Sequence, residues 1–228
     1  MENRPLNKFE EGSVILIDKP LQWTSFDVIK RIRYLIKVKK VGHAGTLDPL
    51  ASGLLIICTG KFTKKINEYM AQEKEYTGTI TLGAITPTYD LESKPGDFKS
   101  IEHISPEMID KAINLFKGEI LQTPPAHSAI KIKGQRVYDL ARQGKDVKLE
   151  PRKIVISVFE ITGIELPLVN FRVVCSTGTY IRSLAFDFGN ALGCGGYLSK
   201  LCRTRIGPHL LEDALSIEAF EEKIKSIS

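Results

Sequence analysis

The stretch "VGHAGTLDPLASGLL", Val41 to Leu55, holds one carboxylate, Asp48, placed against a proline. Pro49 removes a backbone donor and pushes Asp48 toward an extended conformation. Gly42, Gly45 and Gly53 permit turns that other residues resist, and Ala44, Ala51 and Ser52 are small. This chemistry has two readings. In one, Asp48 hydrogen-bonds nearby backbone amides and closes a turn. In the other, a reactive carboxylate is presented on a tight loop with room beside it for a flat substrate. A Walker phosphate loop is excluded, because Gly60-Lys61 has Leu55 where a glycine is needed and Phe62 where Ser or Thr is needed. No G-x-S-x-G marks a serine hydrolase, and no second carboxylate lies near Asp48 in sequence to make a glycosidase pair.

The elements that must carry this loop follow from apolar periodicity. "SVILIDKP" reads as a buried strand that ends at Lys19-Pro20. Thr24 or Ser25 caps a helix in which Phe26, Ile29, Ile32 and Ile36 recur at helical spacing, with Lys30, Arg31, Arg33 and Lys37 opposite. After the loop, Leu54–Cys58 reads as a strand and Thr63–Met70 as a helix. Tyr76–Gly83 alternates as a strand does. Residues 86–100, polar and holding Pro87, Pro95 and Gly96, read as an exposed connection. Ser105 and Pro106 open a helix that Gly118 stops. "KIVISVFEI" and "LVNFRVVCS" form a strand pair, "GTYIRSLAFDFGNALG" a helix ending at Gly193, and "GGYLSKLCRTRIG" a further strand. An acidic amphipathic helix begins at Ser216. The order is not a regular β-α-β alternation, so the fold class is α+β with a largely antiparallel sheet.

The 228 residues suffice for one substantial core. Hydrophobic residues make up 43% and charged residues 26%, ordinary for a globular protein, and the net charge of +5 is compatible with nucleic acid. No apolar run is long enough to span a membrane, and the first residues do not read as a secretory signal. Cys58, Cys175, Cys194 and Cys202 form no C-x-x-C pair, which argues against zinc and for a reducing cytoplasm. Between Lys131 and Lys153 lie eight basic and three acidic residues, a local excess equal to the net charge of the chain. This segment is either a solvated hairpin or a phosphate-tracking arm, with Gly134 and Gly144 as points of movement.

"GHAGTLDPLASGLL" closely resembles the catalytic signature of the TruB-type tRNA pseudouridine synthases. "LIDKP", "KEYTGTITLG", "PPAHSAIKIKGQRVYDLARQG", "CSTGTYIRSLAFDFG" and "LCRTRIG" resemble that family in its own order, over about residues 12 to 211. The resemblance implies the pseudouridine synthase fold, a central mixed, mostly antiparallel sheet flanked by helices and loops. It implies isomerisation of uridine 55 in the tRNA T-loop, through base flipping, with no metal and no cofactor. Asp48 matches the essential aspartate, which attacks the ribose C1′ or takes a proton from the sugar to form a glycal. Arg182 matches the arginine that pairs with it, and Tyr76 the tyrosine that stacks on the target base and assists proton removal from C5. Tyr180 and Leu201 match residues lining the uracil pocket, and His43 the loop histidine that contacts the disrupted T-loop. Lys19 and Pro20 match a motif that supports the catalytic loop. Segment 124–153, with Lys131, Lys133, Arg136 and Arg142, corresponds to an RNA-clasping insertion. Many family members also carry a C-terminal PUA domain, for which no stretch here corresponds. The expectation is therefore one catalytic domain over 1–228, acting as a monomer on the T-stem-loop of tRNA in the cytoplasm. An RNA-binding module that assists tRNA folding and a uracil-releasing RNA N-glycosidase are the competing readings.

Overall fold

The computed structural model describes residues 8–125, 131–132, 135–136 and 149–226. Among them the helices are α1 (Lys8–Glu11), α2 (Ser25–Ile36), α3 (Ile66–Ala71), α4 (Pro106–Asn114), α5 (Ile181–Ala191) and α6 (Ile217–Lys225). The strands are β1 (Val14–Lys19), β2 (Val41–His43), β3 (Ala51–Thr59), β4 (Lys74–Leu82), β5 (Gly118–Gln122), β6 (Lys131–Ile132), β7 (Gln135–Arg136), β8 (Arg152–Glu165), β9 (Leu168–Cys175), β10 (Gly196–Ile206) and β11 (His209–Leu210). The chain divides into two compact units, Met1–Tyr76 with Leu201–Ser228, and Thr77–Lys200.

In the first unit β3 is central. It pairs antiparallel with β1 and β2 and parallel with the end of β10, where Leu201 meets Ala51 and Arg203 meets Gly53. Leu54 through Cys58 are wholly buried, as a strand covered on both faces must be. On one face Leu55 and Ile57 pack with Val28, Ile29, Ile32 and Ile36 of α2 and with Ile217 and Phe220 of α6. On the other, Leu54, Ile56 and Cys58 pack with Ala44 and Ile206. Thr24 caps α2 with its side chain on the Asp27 amide, and Asp27 answers on the Thr24 amide. Phe26 departs from expectation. Val28, about 200° further round the helix, joins the buried stripe instead, and Phe26 is exposed with the Lys30 ammonium 5.0 Å from its ring centre.

In the second unit the strand order is β10-β4-β9-β8-β5, with β8 antiparallel to both β9 and β5. Phe116, Phe159, Phe171 and Phe188 meet edge to face beneath α4 and α5, where Ile109, Ile113 and Leu184 are buried. Helix α4 ends at Asn114, and Gly118, with a φ of +85°, opens β5 rather than stopping the helix. The expected exposed connection over 86–100 is wrong for its first part, since Thr86, Thr88 and Asp90 are buried. Most of its polar groups find partners nearby, although the Thr86 hydroxyl has none among the described residues. The Thr88 amide donates to Ser93 Oγ at 3.1 Å, the Glu92 amide to Asp90 Oδ1 at 3.0 Å, and Ile85 and Gly96 exchange two backbone bonds. No described helix is long and apolar enough to cross a membrane.

Gly53 pairs with Arg203 where β10 runs beside β3. Its φ is +102°, and a Cβ there would lie 2.4 Å from the Arg203 carbonyl oxygen and 2.7 Å from its nitrogen. Gly53→Ala is expected to destabilise the protein by about 3 kcal/mol in urea unfolding, because both the left-handed backbone and the close approach exclude a side chain.

Candidate active site

Asp48 is half-buried on the loop between β2 and β3, and every side of that loop is tied down. The Ala44 amide donates to the Ile56 carbonyl at 2.9 Å, and the Ala51 amide closes a turn on the Asp48 carbonyl at 3.0 Å. The Gln22 amide donates to the Pro49 carbonyl at 2.7 Å. Ser25, buried at the start of α2, accepts from the Leu47 amide at 2.9 Å and donates to the Leu47 carbonyl at 3.1 Å. The Arg203 guanidinium reaches in from β10. It is 1% exposed and donates to the Leu54 carbonyl at 2.7 Å, the Gly45 carbonyl at 3.1 Å and the Thr46 carbonyl at 3.5 Å. One rigid fork thus spans both ends of the loop.

Lys19 is wholly buried at the end of β1 and donates to the Pro20 carbonyl at 2.8 Å and the Trp23 carbonyl at 2.6 Å. Burial pushes its ammonium down to about 8, with Arg203 adding to the shift, while Asp48 and Asp18 oppose it. Lys19 thus ties the turn Pro20–Trp23 to the end of β1, and it stands within electrostatic reach of the Asp48 carboxylate. His43 ends β2 opposite Ile57. Burial and the Arg203 charge lower its imidazole below the usual range, against a backbone hydrogen bond at Gly45, so it is neutral at pH 7. Tyr76 is buried in β4 and Leu201 sits beside Ala51, three residues past Asp48. The first unit thus holds Asp48, His43, Tyr76, Leu201, Lys19 and Pro20.

The second unit holds Tyr180 and Arg182. Tyr180 is the cap residue of α5, and its backbone is held by one buried side chain. Gln122 accepts from the Tyr180 amide at 2.8 Å and donates to its carbonyl at 3.0 Å. Ser183 donates to the Thr123 carbonyl at 2.8 Å. Arg182 is buried, with Nη1 3.6 Å from Asp90 Oδ2 and 3.3 Å from the Thr88 carbonyl oxygen. Lys131 and Arg136 are register partners in the β6–β7 pair, whereas Lys133 and Arg142 lie outside the described residues. No group of three His, Cys, Asp or Glu among the described residues is placed to hold a metal ion.

Sequence reasoning missed Arg203, Asp90, Gln122 and Ser25. A signal existed for Arg203, an arginine inside the otherwise strand-like "YLSKLCRTRIG". Asp90 was hidden in a polar run whose composition suggests solvent.

The whole arrangement has relatives. A chain of the solved Cbf5–Nop10–Gar1 complex superposes with a TM-score of 0.74 at 32% identity, covering 94% of this chain and 54% of that one. The present chain thus spans about half the length of that protein. Residues 33–181 match the family model described as TruB family pseudouridylate synthase (N terminal domain). The chain is 52% identical over 225 residues to tRNA pseudouridine synthase B of Flavobacterium johnsoniae, covering 96% of this chain and 98% of that one. It is 51% identical over 220 residues to the protein of the same name from Phocaeicola vulgatus, covering 94% of each. The chain belongs to the TruB family of pseudouridylate synthases.

The Lys19 shift has a signed consequence. Between about 8 and the ordinary lysine value of 10.5 the unfolded chain binds the proton and the folded chain does not, so folding becomes more favourable as pH rises. Unfolding free energies of wild type and Lys19→Met, measured from pH 7 to 11, are expected to show wild type gaining on the variant across that window.

Proposed function

We propose that this chain isomerises uridine 55 in the T-loop of tRNA to pseudouridine, with Asp48 as the reacting carboxylate. The observation that carries the reading is the placement of Asp48 on a loop pinned by Arg203, Ser25 and Gln22, in a chain of this family. The relatives named tRNA pseudouridine synthase B supply the substrate class.

The reaction breaks the bond between uracil N1 and ribose C1′, turns the base, and joins C5 to C1′. The C5 proton is lost and N1 gains one, so the product is an isomer of the substrate. Asp48 opens the sequence either by attacking C1′ or by taking a proton from the sugar, and both routes need an ionised carboxylate in a site that excludes water. The tethered carbonyls hold the backbone that carries that carboxylate, so less orientational freedom remains to be lost on reaching the transition state. In this reading Arg182 is the cationic partner of the reacting carboxylate. Tyr76 is the aromatic platform for the flipped base, and Tyr180 and Leu201 line its pocket. His43, neutral at pH 7, meets the T-loop as a polar ring. The basic segment with Lys131, Lys133, Arg136 and Arg142 tracks phosphates.

The test uses an unmodified tRNA transcript, carbodiimide labelling and primer extension. Wild type is expected to give a new stop at position 55. Asp48→Asn is expected to give none while its tRNA affinity stays within about threefold, because the lost group acts in the transition state. Turnover by Asp48→Asn contradicts the mechanism, and release of free uracil by wild type contradicts the isomerisation.

A further inference from the structure

Arg182 and Phe186 stand one turn apart on α5, and therefore on the same side of the helix. The strap Thr86–Asp90, in which Thr86, Thr88 and Asp90 are buried, meets both. The Tyr89 ring lies flat on Phe186, with centroids 4.0 Å apart and planes inclined by 17°. One residue to either side, the Thr88 carbonyl accepts from Arg182 Nη1 at 3.3 Å, and Asp90 Oδ2 lies 3.6 Å from the same nitrogen.

Tyr89 has a φ of +63°, a left-handed conformation that a bulky L-residue seldom adopts. Its backbone is held on both sides. The amide donates to the Thr86 carbonyl at 3.1 Å, and the carbonyl accepts from the Leu198 amide at 2.9 Å. If only the turn were required, glycine would serve with less strain. A tyrosine adds an aromatic face, and that face lies on the helix that carries Arg182. The left-handed turn brings the carbonyl before it and the carboxylate after it to the same guanidinium. Relaxation of Tyr89 to a negative φ would swing Asp90, the next residue, away from that nitrogen.

We propose that Tyr89 is a positioning residue for the isomerisation, its stack on Phe186 locking the turn that aims the Thr88 carbonyl and the Asp90 carboxylate at Arg182. The inference rests on the reading of this chain as a synthase that uses Arg182. Backbone and stack support each other, because the ring holds the turn in its strained form and the turn keeps the ring over Phe186.

The experiment measures single-turnover rate and tRNA KM for the full chain and a set of variants. Tyr89→Ala is expected to lower the rate by about tenfold or more with KM within about twofold, since orientation rather than tRNA binding is lost. Tyr89→Phe, which keeps the stack, is expected to stay within about twofold of wild type. Phe186→Ala leaves the Tyr89 backbone untouched and is expected to match Tyr89→Ala, with the double variant no slower than either. Tyr89→Gly removes the strain along with the ring and is expected to remain slow. A wild-type rate in Tyr89→Ala, full recovery in Tyr89→Gly, or multiplying losses in the double variant would overturn the proposal. If wild type is inert on tRNA, the functional reading fails separately. The Arg182 Nε–H resonance then decides: it is expected to broaden in Tyr89→Ala, and an unchanged line overturns the proposal.

Discussion

A buried guanidinium organises the loop that carries Asp48. Arg203 lies almost without solvent contact, and a charge in that position is tolerated only when hydrogen bonds replace the lost water. Its replacements are three carbonyls, those of Gly45, Thr46 and Leu54, which flank Asp48 on both sides. The same bonds that solvate the arginine therefore fix the loop. The parallel register of β10 on β3 sets the reach of the side chain, and Gly53 lets the two backbones come close enough. Lys19 adds a second buried cation in the same unit, and the two cations disfavour one another. Asp48 and Asp18 oppose that repulsion, so the carboxylate assigned to the chemistry also belongs to the charge balance of the core.

The second unit solves the same problem with neutral groups as well as ions. Gln122 spans the Tyr180 amide and carbonyl with one planar side chain, and Ser183 ties the first turn of α5 to Thr123. Arg182 is fixed by Asp90 and the Thr88 carbonyl. In both units hydrogen bonds from residues without an assigned chemical role hold the segments that carry Asp48, Tyr180 and Arg182. That division lets loops carry reactive residues without losing geometry.

Much of this was legible in the sequence. Regular elements were readable wherever burial follows a period. The β3 run, the Thr24 cap of α2, the β8–β9 pair and the Ser216 cap of α6 all lie where their patterns predict. Around Asp48 the proline, glycines and small residues left both a turn and a reactive carboxylate open, and only the family resemblance separated the two. What stayed hidden depends on partners distant in sequence. Thr88 and Asp90 look solvated because their side chains are polar, yet Ser93 and Arg182 meet them inside the protein. Arg203 is 149 residues from Leu54, and no local pattern reports such a pairing. Phe26 shows the opposite failure, where a correct helical period still leaves open which neighbouring apolar residue faces the core.

The dependence of the Asp48 loop on Arg203 is tested most directly by amide hydrogen exchange in Arg203→Lys. The lysine keeps a buried cation but loses the fork that spans three carbonyls. Exchange at Thr46, Leu47 and Ala51 is expected to accelerate by about tenfold or more, while Leu55–Ile57 in β3 keep their wild-type protection, because only the loop loses its tether. Unchanged protection across Thr46–Ala51 in a folded Arg203→Lys protein would show that the loop holds its shape without the guanidinium, and would contradict the account.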